Sequence, residues 1–485
     1  MNYRMVVFVL GRIFLVEAAM MLLPMVCSAI YGEWYMLPAF LLPAVILLLL
    51  GLAASLRTPK NTTIYARDGL AIVALVWVLM SAFGALPFVI SGEIPAFADA
   101  FFEMVSGFTT TGSTILNDVE ALSHGALFWR SFSHWVGGMG VLVFAMAVLP
   151  MTDGRAMHLM RAEVPGPTCG KLSSKLSDSA KILYGIYFAM TALEVALLCA
   201  GGMSLYDSLI HAFGTAGTGG FSNRALSIGA YQNPYFEWVI GIFMLLFGIN
   251  FNLYYFILMR HFREAFGSEE LHAYLGIVLF STVTIAANIL SMVGSVGEAV
   301  RTAFFQVSSI ITTTGYATAD FNLWPTYSRI LLLLLMFVGG CAGSTAGGLK
   351  ISRVIIFFKA ARQDLNKMLH THAVTAIRFE SKPLDEKTLQ GVHNYFNVYM
   401  LLIMLSTVLV SLDGFDMITT FTAVITCLNN VGPGMEIVGP MGNFSQFSAP
   451  VKYLLSFDML AGRLELYPML ALFAPRLWRR RRTMR

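Results

Sequence analysis

Apolar stretches of about 20 residues, the length that carries an α-helix across a hydrocarbon core, recur along this chain and constrain it more than any other feature. We read ten, at residues 13–30, 36–56, 70–91, 131–151, 182–204, 238–259, 273–297, 330–349, 395–412 and 453–472. Only 12% of the 485 residues are charged, about half the share of a soluble domain, so the chain is expected in a bilayer. The first stretch follows Arg4 and Arg12, contains Glu17 and lacks a small-residue cleavage site, and is expected to be a retained helix. With 32 Lys+Arg against 28 Asp+Glu the net charge is +4, which offers no basic field for nucleic acid. Five cysteines, Cys27, Cys169, Cys199, Cys341 and Cys427, stand far apart without metal-ligand spacing and are expected to be packing residues.

Basic residues mark the cytoplasmic side of a membrane protein. They collect in alternate connections, at Arg57, Lys60 and Arg67, at Arg155, Arg161, Lys171 and Lys175, at Arg260 and Arg263, at Lys359, Arg362, Lys367, Arg378 and Lys382, and in the tail from Arg476 to Arg482. The other connections carry Glu93, Asp99, Asp118, Glu120, Glu237, Glu298, Asp320, Asp413 and Glu436, with fewer bases, at Arg130, Arg224, Arg301, Arg329 and Lys452. Both termini are therefore expected inside, with the basic tail against lipid headgroups.

Between some spans the chain is hydrophobic but too short or too broken to cross. Residues 99–112 read DAFFEMVSGFTTTG and residues 302–315 read TAFFQVSSIITTTG, sharing Ala-Phe-Phe, a serine and Thr-Thr-Thr-Gly without a gap. Residues 207–220, DSLIHAFGTAGTGG, and 419–432, TTFTAVITCLNNVG, fit the same frame more weakly. Each lies between two spans on the acidic side. The expected fold is an all-α membrane protein with an amino-terminal hairpin (1–67) and four units of span, re-entrant segment and span: 68–160, 161–265, 266–385 and 386–485. Four units of one sense imply pseudo-fourfold symmetry about the membrane normal and a central pore, unlike the inverted repeats of many transporters.

Re-entrant backbone at membrane depth is tolerated where it is buried in protein or lines a water-filled path. Each segment begins with residues able to make a short helix, whose carboxyl end favours a cation, and ends in chain rich in threonine and glycine. Glycine frees carbonyl oxygens to turn inward and threonine adds hydroxyls, a ligand set for a hard monovalent cation. The candidate ion-binding residues are Thr110, Thr111 and Gly112; Gly219 and Gly220; Thr313, Thr314 and Gly315; and Asn430, Val431 and Gly432. Alignment of Asp207 on Asp99 selects Gly220 over Gly219 as the second-unit counterpart, and the alternative stays open.

Gly-Phe-Thr-Thr-Thr-Gly at 107–112, Thr-Gly-Gly-Phe-Ser at 218–222, Thr-Thr-Thr-Gly-Tyr-Ala-Thr at 312–318 and Asn-Asn-Val-Gly-Pro-Gly at 429–434 resemble the Trk/Ktr/HKT superfamily of potassium transporters, and the extra hairpin resembles its bacterial TrkH branch. The resemblance covers almost the whole chain. It implies that Gly112, Gly220, Gly315 and Gly432 line a selectivity filter, with glycine in all four units resembling the potassium-selective members. It also implies a homodimer in the bacterial inner membrane, working with a cytosolic TrkA-like nucleotide-binding ring. Sodium-coupled or sodium-permeable transport, as in Ktr and HKT relatives, is the alternative. Potassium is the expected cargo, with no organic cofactor.

Inside the eighth span, residues 339–348 read GGCAGSTAGG, a glycine density that breaks a helix. Lys350 follows Leu349 and precedes Ile351, which does not fit a phosphate-binding loop. The family resemblance implies an intramembrane gate at Gly343, Ser344, Thr345, Ala346 and Gly347, with Arg463 projecting toward it from the last span. Arg463 alternatively pairs with Asp458 or Glu465. Glu194 is a further charge inside a span, and His134 and His211 are expected to be structural. No HExxH, Ser/His/Asp array or cofactor fingerprint is present, so no enzyme is expected.

Overall fold

A computed structural model describes residues 1–61, 64–140, 176–370 and 376–478. Among these, six helices are long and apolar enough to cross a membrane, and a bent pair adds a seventh. The hairpin comprises α1 (Tyr3–Met20), running almost directly into α2 (Leu22–Ile30), and α3 (Met36–Ser55). The first span therefore starts ten residues before the hydropathy boundary. Small residues bring α1 and α3 together, since a Cβ on Gly11 would lie 2.5 Å from the Ala54 Cβ, the close approach that membrane helices use where lipid gives no hydrophobic drive.

Four groups follow, each with a leading helix, a short helix and a closing helix. The first holds α4 (Ala66–Ser91), α5 (Phe97–Phe108) and α6 (His124–Gly138). The second holds α7 (Leu176–Ala200), α8 (Leu205–Gly217), and α9 (Pro234–Phe247) with α10 (Phe251–Leu258). In the third are α11 (Glu269–Val293), α12 (Val296–Ile311), and α13 (Thr326–Val338) with α14 (Ile351–Leu369). A hairpin, β1 (Arg378–Phe379) and β2 (Lys382–Pro383), precedes the fourth, which holds α15 (Glu386–Val410), α16 (Met417–Asn429), and α17 (Ala449–Arg463) with α18 (Tyr467–Leu472). Each closing helix packs on the short helix of the next group, α6 on α8, α9 on α12 and α13 on α16, and α17 returns to α5. The four groups thus close in a circle.

Two spans read as continuous are interrupted. The stretch at 238–259 bends by 91° between α9 and α10, where Gly248 lets the chain pass close to Thr312 and the Asn250 side chain caps α10 by accepting from the Asn252 amide at 3.0 Å. The stretch at 453–472 breaks after Arg463, where Glu465 and Leu466 take φ of 62° and 64°. The eighth span breaks after Val338, as its glycines imply. In the first group α6 ends at Gly138, and the expected continuation to residue 151 lies outside the described residues, as do the connection at 152–175 and the tail from 479.

Candidate functional site

The short helices α5, α8, α12 and α16 all end the same way. The amides of Thr111, Gly219, Thr314 and Val431 bond back to the carbonyls of Ser106, Gly214, Ser309 and Thr426 at 2.8–2.9 Å. One residue earlier, Thr110, Thr218, Thr313 and Asn430 bond to Gly107, Thr215, Ile310 and Cys427. This is the Schellman termination, whose left-handed residue is usually glycine. Here that residue is Thr110, Thr218, Thr313 or Asn430, with φ between 55° and 57°. Three β-branched residues in that region carry strain, which concentrates where a function requires the geometry.

Two residues on, Gly112, Gly220, Gly315 and Gly432 again take positive φ, of 84°, 75°, 83° and 97°, while the residue between does not. Gly220, not Gly219, therefore shares the conformation of the other three. A Cβ on Gly112 would fall 2.1 Å from the Gly219 carbonyl oxygen, and one on Gly220 would fall 2.0 Å from that of Thr314. From Gly315 the distance is 2.3 Å to Val431 O, and from Gly432 it is 2.7 Å to Thr111 O. Each glycine thus faces the carbonyl one residue before the next group's glycine, and the fourth faces the first. Four strands from distant parts of the sequence meet in one ring of carbonyl oxygens, and a side chain at any of the glycines would enter it.

A cavity of about 240 Å³ opens against this ring, touching all four glycines together with Ser113, Arg130 and Arg224. Arg130 is buried, reaches Glu103 through Nε at 2.7 Å and lies over the Phe221 ring at 3.9 Å. Glu103 also accepts from the Thr114 hydroxyl and the Ile115 amide. The pair braces the joint between the first and second groups. It was not legible in sequence, where Arg130 reads as a connection residue and Glu103 as part of a short helix. Lys452 similarly reaches from α17 to Asp99 on α5 at 2.6 Å. His134 and His211 are structural in geometry: His134 Nδ1 meets Gly107 O at 2.7 Å, and His211 meets Asp207 O and the Ser222 hydroxyl at 2.7 and 3.0 Å.

On the other side of the ring lies the glycine-rich segment. Its Gly347 amide donates to the Thr313 hydroxyl at 2.7 Å and its Gly348 amide to Asn429 O at 3.1 Å, directly below the ring strands of the third and fourth groups. Cys341 N donates to Gly248 O, Gly343 O accepts from Phe251 N, and the Thr345 hydroxyl donates to Phe247 O, all at the bend of α9 and α10. Arg463 donates to Thr345 O at 2.7 Å and to Gly137 O and Gly138 O at 2.6 and 2.5 Å. Glu465 instead pairs with Arg353, and Asp458 accepts from the Ser406 hydroxyl at 2.9 Å. Arg463 therefore joins the segment to the end of α6 through carbonyls. The breaks in the second, third and fourth closing helices and the end of α6 meet at this segment. Only the third was legible in sequence, although Gly248 and the capping Asn250 were the available signal for the second.

Comparison with known proteins follows the same architecture. The family model described as TrkH, cation transport protein, matches residues 37–285 and 273–480. The Trk system potassium uptake protein TrkH of Escherichia coli (strain K12) is 38% identical over 421 residues, covering 85% of this chain and 86% of that one. Its namesake in Salmonella typhimurium is 35% identical over 489 residues, covering 99% and 100%. The crystal structure of the potassium transporter TrkH from Vibrio parahaemolyticus superposes with a TM-score of 0.88 at 30% identity, over 99% of this chain and 100% of that one.

Proposed function

We propose that this chain, which belongs to the TrkH family of cation transport proteins, is a potassium-translocating subunit whose selectivity filter is the ring at Gly112, Gly220, Gly315 and Gly432. The observation that carries this reading is the cyclic closure, in which each glycine faces the next group's carbonyl oxygen. Thr110, Thr111, Gly219, Thr313, Thr314, Asn430 and Val431 complete the strands, and inward carbonyls replace the hydration shell of a monovalent cation. The repeats at 68–160, 161–265, 266–385 and 386–485 surround the pore, and 1–67 stands outside it. The named relatives are potassium uptake proteins, which supports potassium as cargo. The cavity at the ring is the outer mouth, and the basic face, with both termini, is cytoplasmic in the inner membrane.

Gly343, Ser344, Thr345, Ala346, Gly347 and Arg463 form the gate. The segment obstructs the path below the ring, and a fixed guanidinium raises the energy of a passing cation by about 4 kcal/mol at 4 Å for an effective dielectric near 20. Glycine backbone allows the segment to rearrange. The protein works as a homodimer with a cytosolic TrkA-like nucleotide-binding ring, which docks on the basic connections at 152–181 and 350–387. Potassium, rubidium and sodium uptake into reconstituted vesicles, with and without a proton gradient, tests the cargo. Uptake of potassium and rubidium over sodium is expected, and sodium uptake at the same rate overturns it in favour of a sodium-permeable carrier. Arg463→Ala should raise flux about ten-fold or more while leaving selectivity intact. Parent-level flux in a folded Arg463→Ala protein would mean that the gate is elsewhere.

A further inference from the structure

The β1–β2 hairpin is too short to be a structural layer, yet it is held closely. Phe379 is buried with Ile356 of α14 and Val392 of α15. The strands pair Phe379 with Lys382, leaving Glu380 and Ser381 as a two-residue turn with φ of 50° and 62°. Two positive φ values define a turn for which Asn-Gly is the usual sequence. Glu and Ser accept that conformation at a cost, so the turn holds a carboxylate where a cheaper turn would have none.

That carboxylate meets the first turn of α11. One Glu380 oxygen accepts from the Ser268 hydroxyl at 2.8 Å and from the Glu270 amide at 3.1 Å, a position where negative charge complements the helix end. The side chain of the same Glu270 is buried and points the other way. One of its oxygens accepts from the Ala342 amide at 2.8 Å and from the Ser352 amide at 3.0 Å. The first lies inside the glycine-rich segment, just before Gly343, and the second in the first turn of α14 beyond it, so the two bracket Gly343 to Gly347. A parallel link runs through Lys359 of α14, which pairs with Glu269 and donates to Arg378 O at 2.8 Å.

We propose that Glu380 and Glu270 form a latch through which the hairpin holds the glycine-rich segment across the pore. Glu270 is the positioning residue, clamping both ends of the segment with one carboxylate, and Glu380 fixes the helix turn that presents it. Force applied to the hairpin from the basic face is carried over two sets of charge-assisted hydrogen bonds to the segment, without passing through the filter. The latch rests on the gate reading given above.

Rubidium flux into vesicles containing the purified full chain tests it, with thermal unfolding confirming that each variant is folded. Glu270→Gln should raise flux about ten-fold, the scale of losing charge-assisted bonds to a buried group. Glu380→Ala should raise it several-fold, and Glu380→Gln, which keeps an oxygen acceptor, should recover part of the way to the parent. The double variant Glu270→Gln, Glu380→Ala should conduct no faster than Glu270→Gln alone, because Glu380 acts through Glu270. If the two effects instead multiply, Glu380 acts elsewhere and the latch is wrong. Arg463→Ala separates the two ideas: raised flux there with parent-level flux in Glu380→Ala and Glu270→Gln overturns the latch and leaves the gate standing. Parent-level flux in all three overturns the gate itself. If Glu270→Gln does not fold, Ser268→Ala, which removes one donor to Glu380, should raise flux like Glu380→Ala, and parent-level flux in both overturns the latch.

Discussion

The first and third ring strands and the second and fourth have the same backbone but are supported in opposite ways. In the first, the Thr109 hydroxyl bonds back to Val105 O at 2.6 Å and meets the Thr111 hydroxyl at 2.7 Å. The third repeats this with Thr312 on Ser308 O at 2.6 Å and on Thr314 at 2.8 Å. The second has glycine at both positions, and the His134 ring fills the space, so that a Cβ on Gly219 would lie 2.4 Å from its Cγ. In the fourth, the Asn430 amide nitrogen reaches Thr111 Oγ1 and Met459 O, both at 2.9 Å, and Tyr399 donates to Asn429 Oδ1 at 2.9 Å. Two strands carry their own scaffold. The other two borrow it from neighbouring helices, so one geometry has been reached by local and by tertiary means.

The largest effect is expected where a borrowed support is also a buried charge. Arg130→Ala leaves Glu103 without its cation at the joint of the first and second groups and should destabilise the protein by about 3–5 kcal/mol, measured by thermal or denaturant unfolding in detergent. A loss below about 1 kcal/mol would mean that the pair does not brace the joint. The contrast itself is sharpened by Asn430→Ala against Thr312→Val. Each removes two hydrogen bonds and should cost about 2 kcal/mol, but the bonds of Asn430 tie the fourth strand to its neighbours and their loss should weaken potassium selectivity, whereas those of Thr312 lie within its own group and their loss should weaken it less. Equal effects on selectivity would break the distinction.

The smallest effect is expected at the outer end of α16. Asp416 caps it, accepting from the Ile418 and Thr419 amides at 3.0 Å. The Thr419 side chain and amide, with the Ile418 amide, hold this carboxyl below its ordinary value. Its contribution is therefore present above the unfolded-state value and is lost as pH falls through the lower folded one. Asp416→Ala should cost about 1 kcal/mol or less, seen in unfolding near neutral pH and absent in strong acid. A cost that persists in strong acid would contradict the capping role.

The same comparison explains what could be read from the sequence. Thr-Thr-Thr-Gly appears twice in register because a self-supporting strand needs its hydroxyls in its own sequence. The second and fourth strands share only a glycine and a frame, since Met459, Tyr399 and His134 lie 29, 30 and 85 residues from Asn430, Asn429 and Gly219, which they support. The repeated architecture, the membrane class and the break in the eighth span were legible from hydropathy and glycine density. The break after Phe247 is not, because its apolar run continues through the bend, and the one after Arg463 is not, because Arg463 and Glu465 read as charges carried within a span. In sequence only an alignment of two acids separates Gly219 from Gly220, whereas φ separates the two directly.

The central claim is that four glycines from four groups form one selecting ring. The most direct measurement is the ratio of potassium to sodium uptake in vesicles for Gly112→Ala, Gly220→Ala, Gly315→Ala and Gly432→Ala, each checked for folding. Every added Cβ meets a neighbour's carbonyl oxygen, most closely from Gly220 at 2.0 Å and least closely from Gly432 at 2.7 Å. Discrimination should fall in all four variants, most in Gly220→Ala and least in Gly432→Ala. Full discrimination retained in any one folded variant would remove that group from the ring and contradict the account.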